Sequence, residues 1–217
     1  VTDVAATKDF RLNRVFSVPL TRLLLNLPVT PNQVTVASLA CGVAAGALFS
    51  QGRYGASLAG ALLYQLACVL DNCDGEIARA KGLGSVFGAW FDIVADFITD
   101  VCLFGGLALG VLRHSPDSNA LFFGGLCLLG AAAHFTLVLV EKIKGFGPAV
   151  FGTPNPGRHG PLWVFFDCLR EGDASLLVLL FALAGKSHTL VWLGALYMQA
   201  LWIGALLANF RYFGKRA

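Results

Sequence analysis

The chain of 217 residues is 56% hydrophobic and only 13% charged, with a mean hydropathy of +0.69. Soluble domains carry nearer ~25% charged residues, so about half of the usual solvating surface is missing. This excludes a disordered, collagen-like or nucleic-acid-binding chain and leaves an integral all-α membrane protein, long enough for several spans of ~20 residues.

Residues 1–30 form a tail and a juxtamembrane helix, Lys8–Leu27. On a helical wheel Leu12, Phe16, Leu20 and Leu23 share one face, with Arg11, Arg14 and Arg22 opposite. That pattern predicts a helix lying in the bilayer interface with its basic side toward anionic headgroups, kinked at Pro19. Residues 31–217 form the membrane domain. Six apolar segments follow, over roughly 33–50, 54–80, 86–112, 119–142, 161–185 and 188–210, separated mostly by Gly and Pro breaks. Of the 16 Lys and Arg residues, all but Arg53, Arg113 and Lys186 fall on one side of a six-span arrangement. Cytoplasmic loops carry such an excess, so both termini are expected in the cytoplasm. The six cysteines lie in or beside apolar runs without CxxC spacing, as small buried hydrophobes rather than a disulfide or zinc framework.

Carboxylates are the anomaly. Asp71, Asp74 and Glu76 fall within the second span and Asp92, Asp96 and Asp100 within the third, six of the 13 acidic residues. Each costs at least ~2.5–3.5 kcal/mol to place in the bilayer. A divalent cation is the cheapest compensation for clustered oxygens. Asp71 and Asp74 lie three residues apart on one helical face, which Gly75 and Ala78 continue toward Arg79. Gly88, Asp92 and Asp96 follow at four-residue steps on the next helix. The short Gly82–Ser85 connection predicts antiparallel, directly packed neighbours. Asp71 comes about 25 Å along its helix and Asp92 about 9 Å into the return, so both reach the cytoplasmic third. Hard oxygen donors favour Mg²⁺ or Mn²⁺ over zinc, and a pair of such ions suits displacement at phosphorus. Small residues at Gly75, Ala78 and Gly88 leave room for a phosphorylated group, and Arg79 offers a positive fork. The residues alone therefore point to metal-dependent phosphoryl-group transfer at the cytoplasmic membrane face.

The run Asp71-Asn72-Cys73-Asp74-Gly75-Glu76-Ile77-Ala78-Arg79, continued by Gly88, Asp92 and Asp96, resembles the signature of the CDP-alcohol phosphotransferase family at all eight of its fixed positions. The Thr30-Pro31-Asn32-Gln33-Val34-Thr35 approach to the first span is similar to the family as well. The resemblance implies transfer of a substituted phosphate from a CDP-linked donor to an acceptor hydroxyl, leaving a phosphodiester and releasing CMP. It implies that Asp71, Asp74 and Asp92 hold two Mg²⁺ or Mn²⁺ ions, with Asp96 on or near one of them and acting as general base. Gly75, Ala78, Arg79 and Gly88, with Asn32 and Thr35, would shape the cytidine and diphosphate site. A homodimer is implied by the family alone.

The acceptor site is sought among charged residues on the same side: Lys142, Arg158, Arg170 and Asp173, with the arginines suited to an acceptor phosphate. The competing reading makes these residues interfacial anchors. Leu12-Asn13-Arg14 looks most like the branch making inositol-phosphate-linked phosphodiesters from CDP-inositol, akin to di-myo-inositol-phosphate phosphate synthases. That branch sometimes carries a fused upstream cytidylyltransferase domain, and the start at Val1 fits a trimmed fusion. Phospholipid synthases using CDP-diacylglycerol share the same signature. Outside the family, an ion or proton transporter also keeps carboxylates inside spans, but the Gly75, Ala78 and Arg79 arrangement has no task in cation passage. His134 is expected to be a packing residue, and Asp100 extends the stripe by one turn without an assigned role.

Overall fold

The computed structural model describes residues 12–115, 119–144 and 174–213. The described residues form seven helices and no strand: α1 (Leu12–Leu25), α2 (Pro31–Phe49), α3 (Tyr54–Lys81), α4 (Val86–His114), α5 (Ala120–Lys144), α6 (Ala174–Leu183) and α7 (Thr189–Phe213). Four are long and apolar enough to cross a membrane: α2, α3, α4 and the Ala120–Val140 part of α5. The predicted fifth span meets α6 only in its second half, since its first half lies outside the described residues; α7 covers the sixth.

Local chemistry sets the helix ends around the carboxylates. Thr30 caps α2 in a reciprocal capping box with Gln33, and Pro31 occupies the first turn. Gly82 ends α3 in the left-handed conformation, φ +63°, which a side chain would strain. Ser85 then starts α4 by accepting from the Gly88 amide at 2.9 Å.

Packing departs from expectation in one respect. α2 packs closely against both α3 and α4, while α3 and α4 approach each other less closely than either approaches α2. The reason lies in small residues. Gly42 and Gly46 on α2 face Thr99, Cys102 and Gly106 on α4, and Gly110 meets the Phe49 carbonyl, so closely that added methyl groups would overlap backbone or side-chain atoms. This is the small-residue contact that membrane helices use when lipid supplies no hydrophobic drive. On the other face of α2, Ser38 donates to the Ala67 carbonyl of α3 at 2.9 Å. Beside this hairpin, α3 and α4 together with α5, α6 and α7 enclose a cavity of about 790 Å³.

α1 also differs from the wheel reading. Its inward face is polar: Asn13, Ser17 and Thr21 are fully buried, while Phe16 and Leu23 are 56% and 66% exposed. Leu20 and Leu24 join Val34, Val69, Cys73 and Ile77 in a small apolar core beneath α1. Arg14, expected to face headgroups, turns inward to Glu76. The helix runs through Pro19. A larger core on the far side joins α4, α5, α6 and α7 around Leu103, Phe104, Cys127, Val178, Val191 and Met198. Cys41, Cys68, Cys73, Cys102 and Cys127 are free thiols, as read from their spacing; Cys168 lies outside the described residues.

Candidate metal and nucleotide site

Asp71, Asp74 and Asp92 bring one carboxylate oxygen each to within 4.8 Å of one another. This convergence of hard oxygen donors fits a divalent cation. Asp96, one turn past Asp92, lines the same cavity as Asp71 and Asp92. The three-carboxylate cluster forms although α3 and α4 approach each other less closely than either approaches α2.

Each has a distinct setting. Asp74 is 6% exposed and accepts a hydrogen bond from the Thr35 hydroxyl of α2, which fixes its orientation from behind. Asp71 from α3 and Asp92 from α4 both line the cavity. Above them Arg79 is exposed and folds back over Gly75, where a methyl group would lie 3.4 Å from the guanidinium. A methyl at Gly88 would lie 3.0 Å from the Asn32 side-chain oxygen, so Asn32 sits directly over the first turn of α4. Ala78 is half-buried on the α3 face shared with Asp74. The sequence-predicted nucleotide residues thus divide between α3 (Gly75, Ala78, Arg79) and the α2–α4 side (Asn32, Thr35, Gly88).

Of the acceptor candidates, Lys142 alone falls among the described residues; Arg158, Arg170 and Asp173 lie outside them. Lys142 donates to the Ala89 carbonyl at 2.7 Å and its ammonium lies 5.5 Å from the centre of the Trp90 ring. Partial burial lowers its pKa, and the nearby Asp92 pulls in the opposite direction. A cation thus stands beside the carboxylate cluster at the mouth of α4.

Deeper in the cavity Asp100, Tyr64, Tyr197 and His134 face the same space from α4, α3, α7 and α5. His134, expected as a packing residue, also lines this cavity. Sequence reasoning also overlooked Lys81, whose ammonium donates to the Leu27 and Val29 carbonyls at 2.8 and 2.9 Å and clips the α1–α2 linker to the end of α3. It overlooked the Asn13, Ser17 and Thr21 stripe too. Their four-residue spacing was the available signal, hidden by the more conspicuous leucines.

Residues 28–210 match the family model described as CDP-alcohol phosphatidyltransferase. The chain is 30% identical over 190 residues to the phosphatidylinositol phosphate synthase of Corynebacterium glutamicum, covering 80% of this chain and 86% of that protein. It is 44% identical over 87 residues to the bifunctional IPC transferase and DIPP synthase of Rubrobacter xylanophilus, a match spanning 40% of this chain and only 19% of the relative. In fold it resembles Mycobacterium tuberculosis phosphatidylinositol phosphate synthase crystallised with manganese and citrate, with a TM-score of 0.62, 23% identity, and coverage of 89% of this chain and 88% of that one. The same enzyme with CDP-DAG bound matches with a TM-score of 0.62 at 24% identity, covering 89% and 93% of the two chains. The extent of the family match, and a relative aligned over most of both lengths, make this chain a membrane enzyme of the CDP-alcohol phosphatidyltransferase family.

Proposed function

We propose that the protein moves a phosphatidyl group from CDP-diacylglycerol to a hydroxyl of a phosphorylated inositol, releasing CMP and leaving a phosphodiester. The observation that carries this reading is the meeting of Asp71, Asp74 and Asp92 within 4.8 Å, beside Asp96, at the head of an intramembrane cavity. The match to the Corynebacterium glutamicum synthase over most of both chains supports the substrate pair.

Asp71, Asp74 and Asp92 would hold two divalent ions, Mg²⁺ or Mn²⁺, with Asp96 at their edge. When bound, these ions supply positive charge against the donor diphosphate and the departing CMP. The remaining work belongs to the chain. Arg79 reaches the diphosphate with its planar fork, while Gly75, Ala78 and Gly88 leave room for the nucleotide beside Asn32. Thr35 holds Asp74 in orientation. Asp96 takes the proton of the acceptor hydroxyl as its oxygen bonds to phosphorus and the bond from phosphorus to the CMP oxygen breaks. Lys142, with Arg158 and Arg170, receives the acceptor phosphate, and Asp173 its hydroxyls. The domain comprises residues 31–217 with six spans, residues 1–30 lie at the interface, and both termini and the site face the cytoplasm. The working unit is a homodimer.

A second reading has a soluble donor, CDP-inositol, and is favoured by the higher identity to the Rubrobacter xylanophilus protein over 87 residues. One experiment separates the two. Purified protein with Mg²⁺ is given CDP-diacylglycerol or CDP-inositol, each with inositol phosphate or glycerol phosphate, and CMP release is followed. Release with CDP-diacylglycerol and inositol phosphate alone is expected. Release with CDP-inositol alone selects the second reading, and no release with any pair contradicts both.

A further inference from the structure

The signature turn of α3 is gripped on the side opposite the carboxylate cluster. Glu76 stands two residues beyond Asp74, about 200° around the helix, so it points away from the metal site. It is nevertheless 4% exposed. The Ser17 hydroxyl donates to Oε1 at 3.1 Å and the Thr21 hydroxyl to Oε2 at 2.6 Å. Arg14 Nε lies 3.7 Å from Oε1. All three partners come from α1, and Cys73 beside them donates its thiol to the Ser17 carbonyl at 3.5 Å. A carboxylate enclosed this way seldom adds stability over a packed hydrophobic side chain; in some proteins such a group fixes one arrangement of its neighbours instead. Here that arrangement is the rotation of α3 about its own axis. Thr35 grips Asp74 from α2, Glu76 is gripped from α1, and Lys81 fastens the linker between those two helices.

We propose that Glu76 is a positioning residue: clamped by Arg14, Ser17 and Thr21, it sets the rotation of α3 that aims Asp71, Asp74 and Arg79 at α4. This rests on the metal-site reading above and adds a role for α1 in it. The clamp aligns the site without touching substrate, so its loss should weaken metal and donor binding more than it weakens the fold.

The test compares Glu76→Leu, Glu76→Gln and the α1-side double variant Ser17→Ala/Thr21→Val in purified protein. Mn²⁺ binding without substrate is read by electron paramagnetic resonance, beside the thermal midpoint and the split of kcat and KM for the CDP donor. Glu76→Leu and the double variant should weaken Mn²⁺ binding by about tenfold or more, as losses behind a ligand do. KM for the donor should rise in both; the thermal midpoint should be kept in Glu76→Leu and fall in the double variant, which leaves the buried carboxylate without its donors, and Glu76→Gln should recover most of the Mn²⁺ affinity. A lowered thermal midpoint with unchanged Mn²⁺ affinity would reduce the clamp to a docking contact and overturn the proposal. If Glu76→Leu does not fold, the double variant decides alone, because it leaves α3 intact. Wild-type protein that binds no Mn²⁺ would instead sink the metal-site reading itself.

Discussion

Asp71 and Asp96 look alike in sequence and differ in place. Asp71 belongs to the tight oxygen cluster, whereas Asp96 stands a turn along α4 with its carboxylate open to the cavity. Asp96→Asn keeps an oxygen but cannot accept a proton. It should lower CMP release by at least ~10²-fold while donor binding, measured by calorimetry with Mg²⁺, persists. Asp71→Asn should lose both, since it removes charge from the cluster itself. If Asp96→Asn abolishes donor binding, the residue is a ligand and the base lies elsewhere. Thr35→Val removes the hydroxyl that donates to Asp74. The expected result is a ~10- to 100-fold loss of metal affinity with the donor site otherwise intact; unchanged affinity would show that Asp74 needs no support from α2. The eight signature residues are legible in the amino-acid sequence alone, because paired carboxylates at helical spacing inside a span have few uses. Glu76 is not. Its spacing says only that it points away from Asp74, and its partners lie more than fifty residues nearer the start of the chain.

Among the elements, the instructive case is α2. Its sequence reads as a plain apolar span with a capping box, and both features are present. What the pattern left unread is that Gly42 and Gly46 on α2, with Gly106 and Gly110 on α4, share a four-residue period. Two such stripes let the backbones meet and draw α4 onto α2 rather than onto α3. The cavity that Asp71, Asp92 and Asp96 line lies beside this hairpin. Gly106→Val should overpack that seam and cost about 1–3 kcal/mol, read as a lower thermal midpoint in detergent with reduced CMP release. Full stability in this variant would mean the seam is loose. α1 is legible as a helix but its orientation is not: the wheel ranks leucines above small polar residues, and a polar face seated on a buried glutamate inverts that ranking.

Across the whole molecule, the two ends of the bundle carry different chemistry. Arg79, Lys81 and Lys142 cluster at the carboxylate end, while Arg113 at the far end of α4 donates to the Ser50 carbonyl at 2.6 Å. The same asymmetry in the sequence predicts the cytoplasmic side. Single cysteines introduced beside Lys144 should be labelled only from the cytoplasm, and one at Arg113 only from outside; the reverse pattern would put the site on the wrong face. The helical class and the site's position at one end follow from hydropathy and carboxylate spacing. The proposed acceptor residues are not legible in the same way, because Arg158, Arg170 and Asp173 lie far from the signature in sequence and their charges suit interfacial anchoring equally well.

Asp71, Asp74, Asp92 and Asp96 are proposed to form a divalent-metal site for transfer from a CDP-linked donor. Four carboxylates gathered inside a membrane repel one another and favour a cation among them. The most direct measurement is CMP release by purified protein stripped with excess chelator and then titrated with Mg²⁺ or Mn²⁺. The stripped protein should release no CMP, and either ion should restore release in a saturable manner. Undiminished release in excess chelator would show that the transfer needs no divalent metal.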